Sequence, residues 1–124
     1  MKDPANPVCR TISALLQRIG DKWTVLVVST LADGPRRFNE LRREIPSVSQ
    51  RMLTLTLRNL ERDGLVSRTV TPTIPPRVDY ELTALGHSLQ KPITALQNWA
   101  LDNVEAIHFA QDRFDALMAA RDAA

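Results

Sequence analysis

A mainly α domain with a small β-hairpin is the fold class this chain predicts, and two observations predict it. Between Ser47 and Gly64, Leu53, Leu57 and Leu60 recur at i, i+4 and i+7, which gives a short helix one buried face. In the hairpin that follows, Val78, Tyr80 and Leu82 alternate with Arg77, Asp79 and Glu81, the period of a half-buried returning strand. Its partner is the less cleanly alternating run from Leu65 to Thr71, and the loop between them carries three prolines. Helix, tight turn, helix and hairpin in that order make a winged helix-turn-helix. Further apolar helices flank it on both sides.

Asn6 and Pro7 open a first helix, proline being at home in a first turn. Ile12, Leu15, Leu16 and Ile19 form its apolar stripe, and Gly20 ends it. Asp21 caps a second helix in which Trp23, Leu26, Val27 and Leu31 face inward, broken by Gly34-Pro35. Arg36 to Phe38 suit a minimal edge strand. A third short helix turns Phe38, Leu41 and Ile45 inward and closes at Pro46, about three residues before the fourth. Ser47 and Gln50 have capping-box spacing at that fourth start, and Gly64 is a left-handed stop. Thr83 caps a long apolar region through Leu85, Leu89, Ile93, Leu96, Ala100 and Ile107, which Pro92 should kink or split. A last helix carries Phe109, Phe114, Leu117 and Met118.

The 124 residues fit one domain, and 44% hydrophobic residues can form a core although only 5% are aromatic. The polar opening MKDPANPVCR is unlike a signal peptide, and no apolar run approaches the ~20 residues that cross a bilayer. A cytoplasmic protein, nucleoid-associated when bound to DNA, is therefore expected, with no membrane partner. The single cysteine, Cys9, excludes an intrachain disulfide framework. No catalytic or metal constellation is present: His87 and His108 are far apart, and there is no cysteine pair or glycine-rich phosphate loop. Neither an enzyme nor a cofactor is expected.

Charge is distributed unevenly. The net charge is only +2, yet Asp33 to Arg77 holds nine arginines against five acids. From Val78 onward, three basic residues face seven acids. Arginine's fork matches phosphates and guanine edges, so the basic middle points to double-stranded DNA. On the outward face of the fourth helix, Gln50, Arg51, Thr54, Leu55 and Arg58 are the DNA-reading residues, with Arg62 further along. Leu55 stands where patterning calls for a polar residue; it either meets a thymine methyl or touches a neighbouring helix. Arg36, Arg37 and Asn39 open the preceding helix, and Ser47 and Ser49 offer hydroxyls to phosphate. Arg77, at the base of the stiff loop, either lies beside the DNA backbone or minor groove or forms an ion pair, for example with Glu81.

Three stretches, IGDKWTVLVVSTLADGPRRFNELRREI, SQRMLTLTLRNLERDGLVSRTV and PTIPPRVDYELTALG, span Ile19 to Gly86. In order and spacing they resemble the HxlR-type family of bacterial transcription regulators, winged-helix relatives of the MarR type. The resemblance implies a single domain over residues 1–124, with a DNA-reading part at about 22–83. It also implies terminal dimerisation helices at about 7–19 and 84–121, and a homodimer on an inverted-repeat operator. In some members an N-terminal cysteine senses oxidants or electrophiles, which gives Cys9 a role beside that of an inert core residue. The effector, the operator and the sign of regulation are not legible. The rival function is a winged helix that binds protein rather than DNA, against which the arginine-rich outer face argues.

Overall fold

The computed structural model describes residues 5–123. The elements are α1 (Pro7–Gly20), α2 (Lys22–Leu31), β1 (Arg36–Arg37), α3 (Phe38–Glu44), α4 (Gln50–Arg62), β2 (Val66–Thr71), β3 (Arg77–Leu82), α5 (Ala84–Ser88) and α6 (Gln90–Ala123). They fall into two compact units, Met1–Gln90 and Lys91–Ala124. The fold is the expected one, mainly helical with a small sheet.

In the first unit α4 packs on α2, and α2 also meets α1, α3 and β3. Val27, Val28 and Leu31 of α2 meet the requirement for a buried face, as do Leu41 of α3 and Leu53, Leu57 and Leu60 of α4. Each such side chain contributes about 1.5–3 kcal/mol when fully removed from water. The sheet is antiparallel in the order β1-β3-β2. Arg36 sits opposite Tyr80, and Val66 to Thr71 run opposite Leu82 to Arg77. Val66 and Leu82 close the core from the sheet side.

The helix ends follow their side chains. Asn6 caps α1 through Oδ1, which accepts from the Val8 backbone N–H at 2.9 Å. Asp21 likewise caps α2, accepting from Trp23. Gly64, at φ +77°, provides the left-handed stop after α4. Asp63 precedes it as the C-cap, where a carboxylate opposes the helix dipole. Arg18 of α1 offsets that with Nε 3.0 Å from Asp63 Oδ2, an ionic contact tying α1 to the end of α4. Thr83 joins three elements: Oγ1 donates to the Gly64 carbonyl at 2.6 Å and accepts from the Gly86 N–H at 3.1 Å.

Several expectations are corrected. The α4 cap is Ser49, whose Oγ accepts from Met52 N–H at 3.0 Å, and not Ser47. Gln50 is then the first helical residue, too early to reach back as a capping-box partner. Leu26 is exposed because the buried face of α2 runs through Thr24, Val27, Val28 and Leu31. The separate last helix does not exist: α6 is continuous over 34 residues. Pro92 does split the region after Thr83: with no N–H to offer the carbonyl four residues back, it ends up in the first turn of α6, where none is needed. The break falls three residues before it, at Leu89, the C-cap of α5.

Much apolar surface is left open within each unit. Leu15 and Leu16 of α1 are exposed, and no residue of α1 is buried. Along α6, Leu96, Trp99, Leu101, Ile107, Phe109, Phe114 and Leu117 are exposed. Among the described residues, no helix is long and apolar enough to cross a membrane.

Candidate nucleic-acid interface

The turn between α3 and α4 is anchored by buried Val48, whose N–H donates to the Ile45 carbonyl at 3.1 Å. With Leu53, Leu57 and Leu60 committed to the core, the helix turns its other side outward. Gln50, Arg51, Thr54, Leu55 and Arg58 line one shallow hollow on that side. Arg51 and Arg58 are exposed and form none of the ion pairs found among the described residues. Thr54 is half-buried, and its hydroxyl donates to the Gln50 carbonyl at 2.8 Å, so a methyl and a lone pair remain available. Leu55, on the same side, is 50% exposed.

The arginines before α4 differ from one another. Arg36 is held inside the fold: Nε lies 2.9 Å from Glu44 Oε2, and one terminal nitrogen donates to the Gly34 and Pro35 carbonyls. It fastens β1 to the end of α3. Arg37 and Asn39 are exposed and border an open cleft of about 970 Å³ between α3 and the β2–β3 loop. Ser47 is exposed; Ser49 is occupied by its cap.

Arg77 pairs with Asp79 at 2.9 Å, not with Glu81. Two residues along a strand span about 6.7 Å and four about 13 Å, so the nearer carboxylate on the same face wins. Half of the Arg77 side chain remains exposed, and its pair is the kind worth less than about 1 kcal/mol, so a phosphate can compete for it.

Two arginines at the site escape the sequence reading. Arg68 of β2 stands opposite Tyr80 and shares a small hollow with Thr54, Arg58 and Glu61. Nothing in the irregular β2 pattern marks which way it faces. Arg43 borders the α3 cleft, and its i+4 spacing from Asn39 could have found it.

Cys9 is half-buried in the first turn of α1, its N–H 3.4 Å from Asn6 Oδ1. Arg18 is not its neighbour. Nine helical residues separate the two by about 13.5 Å, and Arg18 faces Asp63.

The HxlR-like helix-turn-helix family profile matches residues 18–108. The chain belongs to the HxlR-like family. Among relatives of this HxlR-like protein, the helix-turn-helix transcriptional regulator YdeP of Bacillus subtilis (strain 168) is 42% identical, over 82% of this chain and 84% of its own. The redox regulator HypR in its reduced form is 41% identical with a TM-score of 0.72, covering 79% of this chain and 97% of that one. Diamide-treated YodB of B. subtilis is 36% identical with a TM-score of 0.68, covering 78% and 96%.

If Arg77 meets phosphate, Arg77→Ala weakens DNA binding and flattens the plot of log affinity against log salt by about one unit, each neutralised phosphate being worth about 0.9 in that slope. Titrations at four salt concentrations measure it. An unchanged slope would leave Arg77 with Asp79 alone.

Proposed function

We propose that this HxlR-like protein is a transcription regulator that binds double-stranded DNA as a homodimer. The outward face of α4 carries the reading: a helix whose three leucines are fully committed to the core presents Arg51, Leu55 and Arg58 to solvent together. Set in the major groove, the arginines reach guanine edges, Leu55 meets a thymine methyl, and Gln50 lies at the helix start nearest the bases. Arg37, Asn39, Ser47 and Arg77 take phosphates, joined by Arg43 and Arg68; Arg36 supports the α3 start from within. Affinity then comes from the backbone contacts and specificity from α4. Selection from a random-sequence duplex library tests the proposal. Enrichment of one motif is expected, and recovery of unenriched DNA would contradict it.

The open apolar faces of α1 and α6 support pairing with a second copy, because a closed two-fold assembly hides the same patch on both chains. Ending the chain at Ala100 removes Leu101, Ile107, Phe109, Phe114 and Leu117, and sedimentation should then find monomer or aggregate. A soluble dimer of normal size would show that those residues are dispensable for pairing.

Cys9 supports a redox arm, since relatives include a redox regulator and a diamide-treated one. Oxidation of Cys9 in both chains would join them or modify each thiol, shifting α1. Diamide should lower operator affinity of the parent and leave Cys9→Ser unchanged. Equal binding of the parent with and without diamide would return Cys9 to a packing role.

A further inference from the structure

One charge in the first unit is held where it costs stability. Asp63 is the C-cap of α4, at the negative end of that helix's dipole. Its side chain is only 14% exposed, and Oδ2 is sealed from solvent with no hydrogen-bond partner among the described residues. Its one countercharge among them is Arg18, with Nε 3.0 Å away, an ionic contact rather than a directed hydrogen bond. Burying a carboxylate without hydrogen bonds is unfavourable, and asparagine at the same place would avoid both costs. In some proteins a buried pair of this kind fixes one arrangement instead of adding stability.

The arrangement fixed here is that of two helices with different tasks. α1 packs on α2, yet none of its residues is buried, so its own packing sets its angle loosely. Leu15, one turn before Arg18, belongs to the open apolar face that supports pairing with a second copy. α4, by contrast, is locked to α2 through buried leucines, and the two move as one body. Arg18 is in the last turn of α1, and Asp63 ends the helix whose other end carries Gln50 and Arg51. Thirteen residues put those two ends of α4 about 20 Å apart, so Arg18 is remote from the bases that α4 would read. It reaches DNA only through the helix it holds.

We propose that Arg18 is a positioning residue: its contact with Asp63 fixes the angle between α1 and the body that carries α4, and so the distance between the two α4 helices of a dimer. This role rests on the homodimer reading. One base pair advances the duplex by about 3.4 Å and turns it by about 35°. With the joint intact, the reading body follows little of that change, so half-sites one base pair closer or further apart fit badly. With the joint loosened, the body pivots on α1 to meet them.

The test uses the full chain and the duplex it selects from a random library. That duplex is remade with half-sites one base pair closer, one further apart, and with one half-site alone. The parent should bind the selected spacing about tenfold more tightly than either neighbour. Arg18→Met,Asp63→Asn removes both charges at unchanged net charge and similar shape, so it should melt close to the parent and bind the single half-site equally. Its preference for spacing should fall below about twofold. Arg18→Lys, which keeps a cation facing Asp63, should behave as the parent. A pair that only holds the fold together would lower the melting temperature and leave the preference as it was. The positioning role is overturned if Arg18→Met,Asp63→Asn still discriminates as the parent does, or if it weakens the single half-site and the full operator alike. Loss of the preference in Arg18→Lys would overturn it too. A parent that binds one half-site yet ignores spacing overturns the homodimer reading with it, and a parent that binds no duplex overturns the DNA reading itself.

Discussion

Replacing Arg51 and Arg58 together by alanine is expected to remove nearly all sequence-specific DNA binding while leaving the fold intact. They stand seven residues, about two turns, apart and line the same hollow around Leu55. A bidentate arginine on a guanine discriminates by about 1–3 kcal/mol, so the pair should weaken operator binding by roughly 10²–10⁴-fold. The two share one surface, so the combined loss need not equal the sum of the single ones. Both are exposed and outside the ion pairs of the described chain, so stability should change by no more than about 0.5 kcal/mol. Titration of the selected duplex and of random DNA at one salt concentration separates base reading from charge. Equal losses on both would show that the arginines meet only the backbone.

The second large effect concerns Gly86, buried in α5. A Cβ there would overlap the carbonyl carbon and oxygen of Leu65. That carbonyl cannot step aside, because it accepts the Thr83 N–H at 3.0 Å and the Leu65 N–H is held by Leu60 at 2.9 Å. Glycine to alanine within a helix normally stabilises by about 0.5–1 kcal/mol, so the sign of the change is informative. Here Gly86→Ala should destabilise by about 3 kcal/mol, at the upper end of overpacking costs. The melting temperature should fall by roughly 10 °C for a domain of this size. Gly20→Ala, with open space where its Cβ would lie, is the control and should melt at or above the parent temperature. A Gly86→Ala protein as stable as the parent would show that α5 stands further from Leu65 than it does here.

The same contrast between local pattern and tertiary contact explains what is legible in the sequence. Three leucines at helical spacing identify α4 without ambiguity, because burial of one face is a property of the helix alone. Its cap is harder to place, because Ser47 and Ser49 both satisfy local capping chemistry. Tertiary anchoring of Val48 decides between them. Pro92 reads from sequence as an interruption, and the region does break just before it, at Leu89; whether a proline kinks a helix or starts a new one is settled only by where that break falls. No glycine or further proline follows up to Ala123, so nothing stops the long helix. Leu26 belongs to an apolar run in which several faces are equally greasy, and only contact with α4 picks the buried one.

At the site, the residues on α4 are recoverable from sequence because one helix orders them all. Arg36 is not distinguishable from Arg37 in this way: adjacent in sequence, one reaches Glu44 and two carbonyls while the other is left in solvent. Arg68 depends on a β-register that an irregular strand does not reveal. Pairing across elements is where local pattern ends.

Hydroxyl-radical footprinting of the purified full chain on its library-selected duplex tests the central claim most directly. A homodimer presenting two α4 helices should protect two inverted half-sites on one face of the duplex, their centres about 10–10.5 base pairs or a multiple apart. Arg51→Ala,Arg58→Ala should erase both together. A single protected half-site, or uniform cleavage along the duplex at saturating protein, would contradict the account.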